Sequence, residues 1–272
     1  MSNTFEIPDL YFDGQFIDVL WDNLDETVNW FSSNFNWKIK VNENWKVDPR
    51  CTQGRMVQLD CGTWLVSYLT ADKLPHHFAD RGTVQSNIKL CFKVKNIGAL
   101  YNKFASNGIR LSSLYNGPVS QYFDMWITTE GIRLTIQEDP SLLTDEIYPS
   151  WVRIGVNDLE ESITWYETYV GMKVVEYNKE NNYVIMRLKM NHTEEDSLWI
   201  LEQLEQKSTI HYINDQVQPY CWIQSRDDFF KYHQLLKAQG IKVSEIGGFI
   251  SAGMVSFHFY DPSGNRFNVS SM

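Results

Sequence analysis

Asp158-Leu159-Glu160-Glu161-Ser162-Ile163-Thr164-Trp165-Tyr166 decides the fold, because the chain says nearly the same thing earlier. Residues 23–31 run Asn23-Leu24-Asp25-Glu26-Thr27-Val28-Asn29-Trp30-Phe31. Each stretch opens on a residue able to cap a helix, has a Glu three positions on, and closes on Trp plus a second ring. Two later pairs keep the same order: Asn107-Gly108-Ile109 with Gln239-Gly240-Ile241, and Gly131-Ile132-Arg133-Leu134 with Gly264-Asn265-Arg266-Phe267. The copies lie about 133 positions apart, far longer than a solenoid unit, so what repeats is a whole domain.

Outward from Asp158, Trp151 to Val156 alternates as a strand does. Leu159, Ile163, Tyr166 and Val170 share one helical face, and Gly171 ends that helix. Strands are predicted at Met172–Tyr177, Tyr183–Lys189 and Ser197–Gln203. The unit then restarts: a strand Tyr220–Ser225, Asp228 as helix cap, Phe229, Tyr232 and Leu236 as the apolar face, and Gly240 as terminator. Strands near Lys242–Ile246, Met254–Tyr260 and Arg266–Ser270 complete it. The first half repeats the order, with strand Phe16–Trp21, a helix from Asn23, and a restart at Lys89–Val94 with a helix from Asn96 to Gly108. The pattern is four βαβββ modules, an α+β fold class in two tandem domains, residues 1–140 and 148–272. A polar stretch from Asp139 to Pro149, carrying Pro140, Ser141 and Thr144, is the linker.

Composition narrows the function classes. A formal charge of −10 with no basic stripe argues against nucleic acid as partner, since phosphate neutralisation needs a cationic face. No stretch approaches the roughly 18–20 apolar residues of a membrane span, and Met1 to Leu10 lacks the pattern of a signal peptide. Cys51, Cys61, Cys91 and Cys221 show no CxxC spacing, so reduced thiols in a cytoplasmic protein are expected. Aromatic content of 14% leaves two explanations open, large cores or a ring-lined pocket.

Paired βαβββ modules, the Asp158-Leu159-Glu160-Glu161-Ser162 helix start and the turn Asp261-Pro262-Ser263-Gly264-Asn265 resemble the vicinal oxygen chelate superfamily. That group includes glyoxalase I, extradiol dioxygenases, fosfomycin-resistance enzymes and bleomycin-binding proteins. The resemblance spans nearly the whole chain and is weaker in the first half, where Thr129-Glu130-Gly131 replaces the turn. It implies an open, U-shaped sheet in each domain with ligand or metal on its concave side. Metal-using members carry His on the first strand of each module and Glu on the last. Those positions fall here on Trp151, Cys221 and Asn268 in the second domain, and on Phe16, Lys89 and Thr135 in the first. Neither His nor Glu stands at any of them. The remaining position falls on Ile200 or, in a shifted register, Glu202. One carboxylate does not hold a divalent cation, which needs three or four donors, so no metal cofactor is expected.

Strand parity selects the candidate binding residues. Trp151, Arg153 and Gly155 point one way and Val152, Ile154 and Val156 the other, so Trp151 and Arg153 face the cleft. Arginine there suits an anionic or planar ligand. Cys221, His258, Asn268 and Arg266 join them as the second cleft. Phe16, Asp18, Lys89 and Thr135 form the equivalent first cleft, where an Asp18–Lys89 ion pair is expected to fill the space. His258 and Cys221 as an acid–base or nucleophile pair is the weaker alternative. His76 and His77 read as a solvent-exposed pair, His192 and His211 lack partners at ligand spacing, and His233 lies within a helix. Trp64, Trp126, Trp199 and Trp222 sit in predicted strands and read as core.

The sequence therefore predicts a metal-independent, small-molecule-binding protein, monomer or homodimer, with an aromatic or anionic ligand in the second cleft. The alternatives are a glyoxalase- or dioxygenase-like enzyme with relocated metal ligands, a metal-free isomerase, or an interaction module with closed clefts.

Overall fold

The computed structural model describes residues 7–48, 51–70, 86–191, 193–207, 215–248 and 253–272. His76, His77, His192 and His211 lie outside them. The first repeat comprises β1 (Tyr11–Asp18), α1 (Leu24–Phe35), β2 (Ile39–Asp48), β3 (Cys51–Leu59) and β4 (Trp64–Thr70). The second has β5 (Ile88–Val94), α2 (Ile97–Ser106), β6 (Arg110–Leu111), β7 (Tyr115–Gly117), β8 (Ser120–Ile127) and β9 (Ile132–Glu138). In the third are β10 (Tyr148–Val156), α3 (Leu159–Tyr169), β11 (Lys173–Asn178), β12 (Tyr183–Lys189) and β13 (Asp196–Gln203). The fourth holds β14 (Val217–Trp222), α4 (Arg226–Ala238), β15 (Val255–Tyr260) and β16 (Arg266–Ser271). This is the α+β class with open sheets that the sequence predicts. None of the described helices is long and apolar enough to cross a membrane.

Three local expectations are corrected. The first strand runs Tyr11–Asp18 rather than Phe16–Trp21, because residues 21–23 form a single 3-10 turn and the Leu20 amide donates to Glu130 Oε1 at 2.8 Å. The cap of α4 is Ser225, whose hydroxyl accepts from the Asp228 amide at 3.2 Å; Asp228 instead supplies negative charge to the first turn. The strand expected at Lys242–Ile246 is reduced to isolated bridges, Val243 to Phe259 and Gly247 to Ser256. The α3 start is as read, with Asp158 accepting from the Glu161 amide at 3.0 Å.

The chain divides into two compact units. The N-unit is Gly14–Arg153 with Asn214–Gln218; the C-unit is Met1–Asp13, Ile154–Ile213 and Pro219–Met272. In the N-unit, β1 pairs in parallel with β4, in the order β1-β4-β3-β2. A second N-unit set runs β10-β5-β9-β8-β6, with β5 and β9 parallel. Helix α1 buries Leu24, Val28, Phe31 and Phe35. Phe31 stacks on Trp37 at 5.3 Å, and Phe35 packs against Phe92 and Phe104, so one aromatic cluster joins both helices of this unit. Residues 215–218 are fastened by hydrogen bonds: Asp18 amide to Gln216 carbonyl at 2.8 Å, Ser86 hydroxyl to Asp215 at 2.7 Å, and Gln216 Nε2 to Glu130 at 2.7 Å.

The C-unit repeats this design with β11-β12-β13-β10 and β15-β16-β14. Helix α3 seats Tyr166 against Phe267, which stacks on the fully buried Trp199 at 5.7 Å. Phe12, from the amino-terminal segment, meets Trp199 edge-on at 5.2 Å, and the Asn191 amide donates to the Phe12 carbonyl. The aromatic enrichment thus resolves largely into cores; truncating Trp199 to Ala is expected to cost about 3–5 kcal/mol.

The Asp261–Asn265 turn locks α3 to the sheet. Asp261 Oδ1 accepts from the Ser263 and Asn265 amides at 2.8 Å, and Oδ2 accepts from the Tyr166 hydroxyl at 2.7 Å. Gly264 takes φ +83°, a conformation that only glycine adopts without strain. In the N-unit the Thr129-Glu130-Gly131 turn reaches a similar end with its acids elsewhere: Glu26 of α1 accepts from the Thr129 amide and hydroxyl.

Candidate functional site

In the N-unit, β5 sends Leu90, Phe92 and Val94 into the core and turns Lys89 to the opposite face. The register Cys91 to Thr135 and Asp124 to Thr135 brings β5, β9 and β8 side chains onto that same face. Lys89 Nζ donates to Asp124 Oδ2 at 3.1 Å and to the Tyr115 hydroxyl at 2.9 Å. Asp124 Oδ1 also accepts from Tyr115 at 3.1 Å and from Thr135 Oγ1 at 2.7 Å. Burial pushes the Asp124 carboxyl upward, but Lys89 and the Thr135 hydrogen bond outweigh it and hold the group below its ordinary value. Tyr115 is raised, first by burial and then by the Asp124 charge, so it stays protonated and donates. Lys89, Tyr115, Asp124 and Thr135 thus bond to one another.

Arg153 enters the same face. Its guanidinium carbon lies 4.0 Å from the Tyr122 ring centre and 5.8 Å from that of Tyr115, two rings stacked at 5.9 Å. Gly117 leaves room for it: an added Cβ would stand 2.9 Å from both the guanidinium and the Tyr122 ring. The ring platform beside Arg153 is therefore Tyr122 and Tyr115, while Trp151 is half-buried. The Asp18–Lys89 pair expected from the sequence does not form. Lys89 pairs with Asp124, and Asp18 accepts from Gln218 Nε2 at 2.9 Å. The reason is topological: Lys89 sits on β5, in the order β5-β9-β8, whereas Asp18 sits on β1 beside β4. Phe16 is likewise on β1, opposite Trp64.

In the C-unit, Asn268 on β16 lies opposite Tyr220 on β14 and His258 on β15, and Arg266 lies opposite Tyr260. These five side chains share one face. Arg266 Nε and Nη2 donate to Asn268 Oδ1 at 3.2 and 3.0 Å, which fixes the orientation of the amide. Its Nδ2 is buried and has no hydrogen-bond acceptor among the described residues. His258 packs edge-on against Tyr260 at 5.4 Å. Cys221 is opposite Val269 and points to the other face, with its thiol pushed up by burial. Parity makes Tyr220, one residue earlier, the inward side chain of β14. The structure thus brings together His258, Arg266 and Asn268 in the C-unit and Lys89, Thr135 and Arg153 in the N-unit. Tyr115, Tyr122, Asp124 and Tyr220 went unnoticed in the sequence; alternation of Tyr122 and Asp124 along β8 was the signal that would have found two of them.

Residues 149–269 match the family model described as the Glyoxalase/Bleomycin resistance protein/Dioxygenase superfamily. Over these residues the chain is similar to that superfamily. No curated protein matches it by sequence. Among solved structures, glyoxalase I from Zea mays is similar at 15% identity, with TM-score 0.63 and coverage of 97% of this chain and 92% of that one. A candidate dioxygenase from Bacillus subtilis superposes with TM-score 0.62 at 10% identity, covering 98% and 86%. At such identities the likeness is one of fold alone.

The donor set on these faces does not fit the divalent metal that the superfamily resemblance raises. Of the implied ligand positions, Lys89 offers an ammonium, Thr135 a hydroxyl and Asn268 an amide; Phe16 and Trp151 offer no metal-binding atom, the Cys221 thiol points to the other face, and Glu202 would supply a single carboxylate. Among the described residues no three His, Cys, Asp or Glu side chains are grouped to hold a cation. A fixed ammonium repels one outright.

Proposed function

We propose that this protein is a metal-independent small-molecule-binding protein, with its working site on the C-unit face of Tyr220, His258, Arg266 and Asn268. The carrying observation is the buried Asn268 Nδ2–H, left without an acceptor while Arg266 pins the other end of its amide. An unsatisfied buried donor costs about 1–3 kcal/mol, which a ligand oxygen would recover. On the N-unit face Lys89 is taken up by Asp124 and Tyr115, which supports a structural part for that lysine. A carboxylate or carbonyl attached to a planar group suits the site, with the oxygen at Asn268 and rings against Tyr220 and Tyr260. Sequestration of such a ligand, by a monomer or homodimer in the cytoplasm, is the function we assign.

The test is a thermal-shift screen with aromatic carboxylates, paired with elemental analysis. Binding of a hit should weaken about 10- to 100-fold in Asn268→Ala, the equivalent of one charge-assisted or buried hydrogen bond. One zinc, nickel, manganese or iron per chain, or hits indifferent to Asn268→Ala, would overturn the assignment.

A further inference from the structure

The C-unit holds a cavity of about 460 Å³ away from the face that bears Asn268, between the amino-terminal segment, the end of α3 and the strands β11 and β12. Its volume lies in the range of small-molecule sites. Ile7, Leu10 and Val170 supply apolar lining. Cations come from the strands: Lys173 on β11 stands directly opposite Arg187 on β12, and Lys189 follows two residues on.

Two like charges directly opposite on neighbouring strands are destabilising, and a fold gains nothing from them. Only one strand carboxylate answers the three cations. Asp196 lies across from Lys189 but accepts from Arg187 at 3.3 Å, an exposed contact of small worth. Lys173 and Lys189 make no ion pair among the described residues. In a chain of net charge −10 this concentration of cations runs against the overall balance. Asp9 and Glu167 also line the cavity and bring its total charge to zero. That balance admits one added negative charge near the lysines and disfavours two.

We propose that this cavity binds an amphipathic monoanion, an apolar body ending in a carboxylate, with the carboxylate at Lys173 and Lys189 and the body on Ile7, Leu10 and Val170. The like-charge pair is then the cost of a site that its ligand relieves.

Isothermal titration of the full chain with octanoate tests this, with octanol and octyl phosphate as comparison probes. Octanoate should bind, with octanol and the more highly charged octyl phosphate each at least 10-fold weaker. Lys173→Gln should lose about 10-fold in octanoate affinity, yet raise the Tm of the free protein by removing the like-charge contact. Asn268→Ala should leave octanoate binding unchanged. The proposal falls if octanoate does not bind at millimolar concentration, if octanol binds as well as octanoate, or if Lys173→Gln lowers the free protein's Tm. Loss of octanoate binding in Asn268→Ala but not in Lys173→Gln would also overturn it, moving the ligand to the Asn268 face.

Discussion

Lys89 Nζ stands 3.1 Å from Asp124 Oδ2, and both side chains are largely removed from solvent. Breaking a buried pair from one side leaves the other charge uncompensated. Lys89→Met is therefore expected to destabilise the protein by about 2–4 kcal/mol in urea unfolding, with Lys89→Met/Asp124→Leu recovering much of it. Because Asp124 titrates below its ordinary 3.8, its contribution is complete above that pH and is lost as pH falls further. A double variant no more stable than Lys89→Met would contradict this account.

Asp261 and His233 pull the pH profile in opposite directions. Burial raises the Asp261 carboxyl to about 6, against the pull of its Asn265 and Tyr166 hydrogen bonds. A raised folded value favours the protonated form, so this stability is full below about pH 3.8 and is lost as pH rises toward 6, on the order of 3 kcal/mol. His233 is lowered, chiefly by burial, despite its 2.8 Å contact with the Ser244 carbonyl. Its stability is full above pH 6.5 and is lost on acidification. Denaturant unfolding from pH 4 to 8 should show Asp261→Asn losing the first slope and His233→Gln the second. Profiles parallel to that of the natural chain would rule the two groups out.

Gly117→Ala tests the packing around Arg153. The added methyl meets the Tyr122 ring, which is fully buried and cannot swing away, and overpacking of this kind costs about 1–3 kcal/mol. A melting temperature equal to that of the natural chain would mean that the Arg153 stack is loose.

Limited proteolysis should nick the Asp139–Pro149 stretch, where Leu143 is 93% exposed. Two fragments of similar size are expected on a denaturing gel, in keeping with domains at 1–140 and 148–272. They should still migrate together under native conditions, because residues 7–13 pack within the C-unit and 215–218 within the N-unit. Separation without denaturant would contradict those packed segments.

The sequence by itself determined the repeat, the α+β class and most strand positions. These are local properties: a period of 2 or 3.6, a cap such as Asp158, a glycine such as Gly171 past a helix end. Identity alone also shows that neither His nor Glu stands at Phe16, Lys89, Thr135, Trp151, Cys221 or Asn268, six of the ligand positions that the resemblance implies. The partners of each side chain were not legible, because pairing depends on which strands become neighbours. Lys89 and Asp18 looked matched in sequence, yet the β5-β9-β8 order hands Lys89 to Asp124, a residue that periodicity had not singled out. A one-residue slip likewise exchanged Tyr220 for Cys221, since successive strand side chains face opposite ways. Only the tertiary structure set those registers, and with them the orientation of Asn268, its Oδ1 held by Arg266 and its Nδ2 left over.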